Sequence, residues 1–258
     1  MTLEFLNLDI DDRLAVVSLT RPAARNALSQ ALMRELTLCA RDLAERTDID
    51  VVLLTGGDLC FSAGVDLRDT RSWADESLSL VARREIASLG YRMCKAWEEM
   101  PQVTIAAIEG YAVGGGLALS LACDWRVAAD DAFVSLPEIA LGIPLTWGTI
   151  ARLTNLLGPA RAKRLTILCE RVPAAEALAI GLVDYTAPAG RALAKAREIA
   201  AHTLAMPAAA VRMSKESVNA VATALNHLSG YMAHDQLALA AASRESCDAR
   251  EAALKPKI

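Results

Sequence analysis

Three consecutive glycines, Gly114 to Gly116, form the stretch of this sequence best suited to binding chemistry. An apolar run over residues 105–108 precedes them, and an Ala/Leu-rich segment of helical character follows them directly. This order predicts a strand, a tight turn and the start of a helix. Because glycines carry no Cβ, a ligand can approach the backbone there and meet the free N–H groups of the first helical turn. The expected ligand group is an oxygen with full or partial negative charge.

A second turn of small residues, Ala63-Gly64, follows another apolar run over residues 51–55. Two such turns can each direct one backbone N–H at the same point, and two donors form an oxyanion hole for a carbonyl that becomes an enolate. The predicted donors are Ala63 N–H and Gly115 N–H. Two alternatives remain open: the glycines only permit tight turns, or they bind phosphate. The phosphate alternative is weaker, because the spacing fits neither a dinucleotide fingerprint nor a P-loop.

The elements that must position these turns are predicted from apolar runs and from glycine and proline breaks. The first run has the pattern of a strand covered on both faces. Proline and glycine end the predicted helices. Strands are expected over residues 51–55, 103–108 and 125–129, one long helix over residues 75–100, and two helices over 147–157 and 160–169. The alternation of strands and helices predicts an α/β fold.

Composition changes once along the 258 residues, near residue 190. Before it the chain mixes strand and helix patterns, and after it nearly every residue favours helix. We therefore expect a core over residues 1–190 and a helical region over residues 191–258. The 53% content of hydrophobic residues is ample for a large buried core.

Charge and cysteine usage narrow the possible partners. The chain has 27 Lys and Arg against 31 Asp and Glu, and no dense basic block, so nucleic acid is not an expected partner. The N-terminal residues lack the pattern of a signal peptide, and no uncharged run is long enough to span a bilayer. A cytoplasmic protein without a membrane partner is expected. The six cysteines are scattered singly, so no metal site is expected.

Six short motifs occur together over nearly the whole chain. They are Arg21-Pro22 with Asn26-Ala27-Leu28, Phe61 to Leu67, Gly110 to Gly116, Cys123-Asp124, Pro137-Glu138, and Gly181 to Asp184. In type, order and spacing, these residues resemble the crotonase (enoyl-CoA hydratase/isomerase) superfamily. The resemblance implies a spiral of ββα units, a helical C-terminal trimerisation region, and a homotrimer or a hexamer of paired trimers.

The same resemblance implies the ligand and the residues that contact it. The substrate would be an acyl-CoA thioester whose carbonyl oxygen lies on Ala63 and Gly115, and coenzyme A would be part of the substrate, with no separate cofactor. The residues expected along the pantetheine and adenine are Asn26, Ala27, Leu28, Ala63, Gly64, Val65 and Asp66. Gly114, Ala118 and Trp147 are expected to contact the substrate beside the glycine turn.

The sequence departs from the family pattern at a catalytic position. Family hydratases use two glutamates, and here the first position is Ala118 while the second is retained as Glu138. A single carboxylate in an apolar loop is expected to have a raised pKa and to accept and return a proton. This suits a shift of the double bond from 3-enoyl to 2-enoyl thioester. Two alternatives are a 2-enoyl-CoA hydratase and a non-catalytic acyl-CoA binding protein.

A second departure follows the Glu138 loop, where the family's glycine-rich run is replaced by residues 144–148 with Trp147 among them. The indole adds bulk beside the expected acyl pocket. Trp147 is interpreted either as a residue that shortens this pocket or as an aromatic residue that packs between helices.

Overall fold

The computed structural model describes residues 3–69, 75, 77–224, 226 and 233–254. Its strands are β1 (Leu6–Asp11), β2 (Leu14–Leu19), β3 (Val51–Thr55), β4 (Val103–Ile108), β5 (Tyr111–Val113), β6 (Trp125–Ala129), β7 (Phe133–Ser135), β8 (Arg171–Pro173) and β9 (Tyr185–Ala187). Its α-helices are α1 (Gln30–Ala44), α2 (Leu80–Ala87), α3 (Leu89–Glu98), α4 (Gly115–Ser120), α5 (Thr149–Leu168), α6 (Ala174–Ile180), α7 (Ala192–Leu204), α8 (Ala208–Ala222), α9 (Ala233–Ala242) and α10 (Arg244–Leu254).

Two sheets organise the chain. The larger has the strand order β1-β2-β3-β4-β6-β9, in which β1 pairs antiparallel with β2 and the remaining neighbours are parallel. The smaller has the order β5-β7-β8, with β5 and β7 parallel. Since β4 lies in one sheet and β5 in the other, the chain leaves the large sheet after Ile108. The strand that leads into the triple glycine is therefore β5, so the prediction that the run over residues 105–108 enters the turn directly is wrong.

The strands predicted from unbroken apolar runs are confirmed at β3, β4 and β6. All residues of β3 and β4 are buried, because helices cover both faces of the parallel part of the sheet. Gly158 has φ +76° and ψ +164°, so α5 consists of two helical pieces joined at a kink, as Gly158-Pro159 predicts.

The single helix expected over residues 75–100 is wrong in its extent. The helical structure begins at Leu80, and Ser88 separates α2 from α3. Residues 70–74 and 76, next to the expected start, lie outside the described part of the chain. The Ser88 hydroxyl donates to the Glu85 carbonyl at 2.7 Å, a local hydrogen bond that competes with continuous helix.

Helix α7 connects the helical region to the core. Its residues Ala196 and Ile199 belong to the same buried cluster as Leu53 of β3 and Ile105 of β4. The buried Glu109 accepts hydrogen bonds from Ala192 N–H at 2.7 Å and Gly190 N–H at 2.9 Å, which caps the start of α7. The change of composition near residue 190 is therefore not a break in packing, and an oligomerisation role for residues 191–258 remains a prediction.

Among the described residues, no helix is both long and apolar enough to cross a membrane. The part of the helical region over residues 225, 227–232 and 255–258 lies outside the description.

Candidate active site

The first candidate turn follows β3 and contains Ala63. The Ala63 N–H donates to the Arg25 carbonyl at 3.0 Å, so the predicted role of this N–H as an oxyanion donor is wrong. Gly64 N–H is also engaged, with the Ser62 hydroxyl at 3.1 Å. Both bonds tie the turn to the segment before α1 and leave neither donor for a ligand.

The free donor of this turn is two residues further on, at Val65. Leu28 and Val65 form an isolated parallel bridge in which Leu28 N–H donates to Gly64 O at 2.8 Å and Asp66 N–H donates to Leu28 O at 3.1 Å. In extended backbone, successive N–H groups point to opposite sides, so Val65 N–H points away from Leu28. It has no backbone acceptor among the residues that the structure describes.

The second turn leads from β5 into α4. Gly114 N–H donates to Ser135 O at 2.8 Å, which fixes the turn against β7. Gly115 is the first residue of α4, where an N–H has no intrahelical acceptor. A Cβ on Gly64 would lie 2.7 Å from Val113 O and 3.2 Å from Gly115 N, so only glycine permits this approach of the two turns. Val65 and Gly115 thus place two N–H donors beside each other.

Glu138 completes the site from the loop after β7, where it precedes a 3₁₀ helix over Ile139–Leu141. A Cβ on Gly114 would lie 2.7 Å from Glu138 Oε1, so the carboxylate rests directly on the glycine turn. Oε2 is buried and has no hydrogen-bond partner among the described residues. Burial raises the pKa of Glu138 from 4.5 to about 7, and a hydrogen bond from its own backbone opposes this only partly.

The Glu138 loop is held by the C-terminal helix. Gly142 ends the 3₁₀ helix with φ +64°, and a Cβ there would lie 2.5 Å from Ser246 Cα of α10. Helix α10 therefore packs closely on the loop that carries the carboxylate.

These elements enclose a cavity of about 90 Å³. Eight predicted site residues line it: Ala63, Gly64, Val65, Gly114, Gly115, Ala118, Glu138 and Trp147. The other lining residues are mostly apolar and include Leu67, Val113, Leu141, Ile143, Pro144 and Leu145. Glu138 is the only titratable group among the described lining residues. Because position 118 is alanine, the site has one acid, as the sequence predicts.

Four predicted substrate-contact residues do not line the cavity. The side chains of Asn26 and Leu28 are buried, and contact of these two residues with coenzyme A remains a prediction. The Asn26 amide donates to the Gly56 carbonyl at 2.8 Å, and its Oδ1 accepts from Arg21 N–H, so Asn26 joins two loops. Ala27 and Asp66 lie outside the cavity, where contact with the rest of coenzyme A remains a prediction.

Asp66 also has a structural partner. Its carboxylate pairs with Arg21 at 3.1 Å, and the Arg21 guanidinium also donates to the Ala27 carbonyl. This pairing supports the shape of the turn that presents Val65 N–H.

Sequence reasoning missed three residues around Trp147. Gly90 of α3 lies against the indole, and Arg152 of α5 donates to the Trp147 carbonyl at 2.7 Å while pairing with Glu98 at 2.7 Å. A glycine inside the amphipathic pattern of α3 is the one signal that pointed to a close contact, since glycine weakens a helix interior. The residue that Gly90 contacts, Trp147, cannot be predicted from the neighbouring sequence.

Two other motif acids serve the structure. Asp124 accepts from Thr104 N–H at 2.7 Å and pairs with Lys215 at 2.6 Å. Asp184 pairs with the buried Arg126 at 2.8 Å. These contacts give Asp124 a structural role, and the Gly181 to Asp184 motif joins the chain before β9 to β6.

The fold and this site define a member of the enoyl-CoA hydratase/isomerase family, the crotonase superfamily. The family model for "Enoyl-CoA hydratase/isomerase" matches residues 9–251. The chain therefore belongs to a family of enzymes, and its mixed α/β fold is that of crotonase structures.

Individual relatives agree with this assignment. The chain is 34% identical to the crotonyl-CoA hydratase of Syntrophomonas wolfei over 220 residues, with 85% of this chain and 83% of that protein covered. It is 31% identical to the short-chain-enoyl-CoA hydratase of Clostridium acetobutylicum, with 85% and 82% covered. A crystal structure of an enoyl-CoA hydratase from Bacillus anthracis superposes with a TM-score of 0.79 at 32% identity, covering 98% of both chains.

Chemically, the arrangement pairs two converging N–H donors with one buried carboxyl group of near-neutral pKa. The donors suit an oxygen that gains negative charge, and the carboxyl group suits proton transfer at a carbon beside it.

Proposed function

We propose that this enzyme isomerises 3-enoyl-CoA to 2-enoyl-CoA thioesters, with Glu138 as the single acid and base. The observation that carries the proposal is the state of Glu138: its Oε2 is buried without a partner, and it is the only titratable group of the described cavity lining. The family's enoyl-CoA enzymes support the thioester as the substrate class. Coenzyme A enters as part of the substrate, and we propose no separate cofactor.

The reaction requires one proton to leave and return. The Glu138 carboxylate removes a proton from C2, and the electron pair left at C2 delocalises over the thioester carbonyl on one side and the C3–C4 double bond on the other. The product is a dienolate whose negative charge is shared by the thioester oxygen and C4. Val65 N–H and Gly115 N–H donate to that oxygen and stabilise its charge. The protonated Glu138 then delivers the proton to C4, which forms the C2–C3 double bond and restores the carboxylate. No net proton is consumed.

A carboxyl group of ordinary pKa would be a weak base for a C2 proton. Burial moves the pKa of Glu138 to about 7, close to the pH at which it must both accept and return the proton. Ala118, which is buried and lines the same cavity, provides no oxygen to orient a water. Hydration requires that water to be held and split, so this site suits isomerisation better.

The second candidate is 2-enoyl-CoA hydration. The observation in its favour is that the relatives just described are named crotonyl-CoA hydratase and short-chain-enoyl-CoA hydratase. Glu138 alone would then have to act on a water molecule without the second carboxylate.

The two reactions are separated by assaying 3-hexenoyl-CoA and crotonyl-CoA with the same enzyme. We expect isomerisation to be the faster reaction and Glu138→Gln to lower it by a factor of about 10²–10⁴, the usual contribution of a general base. Glu170 lies between α5 and β8, pairs with Arg164 at 2.7 Å and has a side chain that is 36% exposed, so Glu170→Gln is the matched control. Faster hydration than isomerisation would refute the proposal, and binding of both thioesters without turnover would favour a non-catalytic acyl-CoA binding protein.

Ala118→Glu gives an independent test. It places a second carboxyl group in the cavity that holds Glu138. We expect the ratio of hydration to isomerisation to rise at least tenfold, because a water can then be held between two carboxyl groups. Ala118→Gln is the uncharged control of similar size. An equal change of the ratio in both variants would contradict the role assigned to the missing acid.

A homotrimer or hexamer, which the family resemblance implies, remains part of the proposal. Size-exclusion chromatography with light scattering measures it directly.

A further inference from the structure

The Trp147 indole stands against two glycines that come from different helices. A Cβ added to Gly90 of α3 would fall within the indole ring, and a Cβ added to Gly115 of α4 would lie 2.7 Å from Trp147 Cη2. Any other residue at either position would displace the ring. The ring therefore occupies a slot that two side-chain-free positions create, and one wall of that slot is the oxyanion donor Gly115.

The backbone of Trp147 is held as firmly as its ring. Trp147 has φ +56°, a conformation that a bulky residue adopts only when its surroundings enforce it. Arg152 Nη1 donates to the Trp147 carbonyl at 2.7 Å. The same guanidinium makes two bonds to Glu98, of 2.8 and 2.7 Å, and its side chain is only 7% exposed. A ligand would have to break this buried pairing to move the Trp147 backbone.

The remaining space beside the ring is small. Trp147, Ile143 and Leu145 are among the residues that line the cavity of about 90 Å³. Pockets for small-molecule ligands usually measure about 300–1,000 Å³, so little space is left for an acyl group. The cavity therefore suits a short acyl chain better than a long one.

The geometry points to Trp147 as the specificity-determining residue of this site, a side chain held in place so that it restricts the acyl group to a short chain. The inference rests on the proposed function in one respect, because the cavity must be the acyl site of a thioester. It adds a substrate size to that proposal and assigns this size to one side chain.

Binding measurements test whether Trp147 limits the acyl chain length, and they do not require turnover. Isothermal titration calorimetry would compare butyryl-, hexanoyl- and octanoyl-CoA on the wild type, Trp147→Ala and Trp147→Phe. We expect the wild type to bind butyryl-CoA most tightly. In Trp147→Ala, each methylene newly admitted to the cavity should raise affinity about 4-fold, the value for burial of one methylene. Trp147→Phe opens less space, so hexanoyl-CoA should be the longest of the three thioesters that it binds more tightly than the wild type does.

Trp125→Phe is the matched control, because Trp125 lies on β6 and does not line this cavity. Its chain-length profile should equal that of the wild type. Circular dichroism checks that each variant is folded, and Trp147→Phe provides the test if Trp147→Ala does not fold. The inference is overturned if the wild type binds octanoyl-CoA as tightly as butyryl-CoA, or if folded Trp147 variants keep the wild-type profile.

The two proposals fail in different ways. If replacing Trp147 changes the preferred acyl chain length in a protein without isomerase activity, the role of Trp147 is supported and the proposed reaction is refuted. If isomerase activity depends on Glu138 but the preferred acyl chain length is unchanged in the Trp147 variants, only the specificity role of Trp147 is refuted.

Discussion

Replacement of Glu138 by glutamine removes the charge of the cavity and leaves its size nearly unchanged. The native carboxyl group has a pKa of about 7 instead of 4.5, because burial disfavours the charged form. At about 1.4 kcal/mol for each pKa unit, this difference corresponds to about 3 kcal/mol. The free energy of unfolding should therefore respond to pH through this one residue.

The direction of the response follows from proton binding. Below pH 4.5 the carboxyl group is protonated in both the native and the unfolded state, and it causes no pH-dependent cost. Between pH 4.5 and about 7 the unfolded chain loses the proton while the native protein keeps it, so wild-type stability falls as pH rises. Above about pH 7 the full cost of about 3 kcal/mol is present. The glutamine variant lacks this cost at every pH.

Urea denaturation at fixed protein concentration measures the effect. The stability of Glu138→Gln minus that of the wild type should grow by about 3 kcal/mol between pH 4.5 and pH 8. The same difference for the surface variant Glu170→Gln should stay within about 0.5 kcal/mol. In parallel, kcat/KM of the wild type for 3-hexenoyl-CoA should fall about tenfold for each pH unit below about 7, since the base must be ionised. A pH-independent stability difference would show a solvated carboxylate and refute the reasoning.

Two further replacements test the oxyanion donor and a buried ion pair. Gly115→Pro removes one N–H donor and is best made in the Trp147→Ala background, which has room for the proline ring. The kcat of this double variant should be lower than that of Trp147→Ala by a factor of about 10²–10³. An unchanged kcat would exclude Gly115 as a donor. Arg126→Met removes the buried guanidinium that pairs with Asp184 and donates to the Leu182 and Cys123 carbonyls, and should lower the free energy of unfolding by about 3 kcal/mol. In urea denaturation, the surface variant Arg164→Met should change it by less than about 1 kcal/mol, and an equal loss in both would contradict the importance of burial.

Much of the scaffold was predictable from local sequence. The runs that form β3, β4 and β6 contain no polar break long enough to face water, so they are stable only as covered strands. The kink at Gly158 follows from a glycine and a proline that cannot continue a helix with ordinary dihedral angles. The triple glycine marks the start of α4 as predicted, but the short strand β5 before it was not predicted.

The predicted site was less complete. The residue types around Gly114 and Glu138 identified the cavity, and eight predicted residues line it. The donor assigned to Ala63 was wrong because the Arg25 carbonyl, far away in sequence, already accepts from that N–H. The hydrogen bonds from the Asn26 amide to the carbonyls after β3 were not predicted, because Asn26 and those carbonyls are distant in sequence.

The sequence by itself determined the family, the positions of three core strands along the chain and the identity of the single carboxylate. Those properties depend on residue type and on spacing along the chain. Tertiary structure decided which N–H is free, how Glu138 is buried, and that Trp147 rests on Gly90 and Gly115. These properties depend on hydrogen-bond direction and on contacts between segments distant in sequence, which local periodicity does not encode.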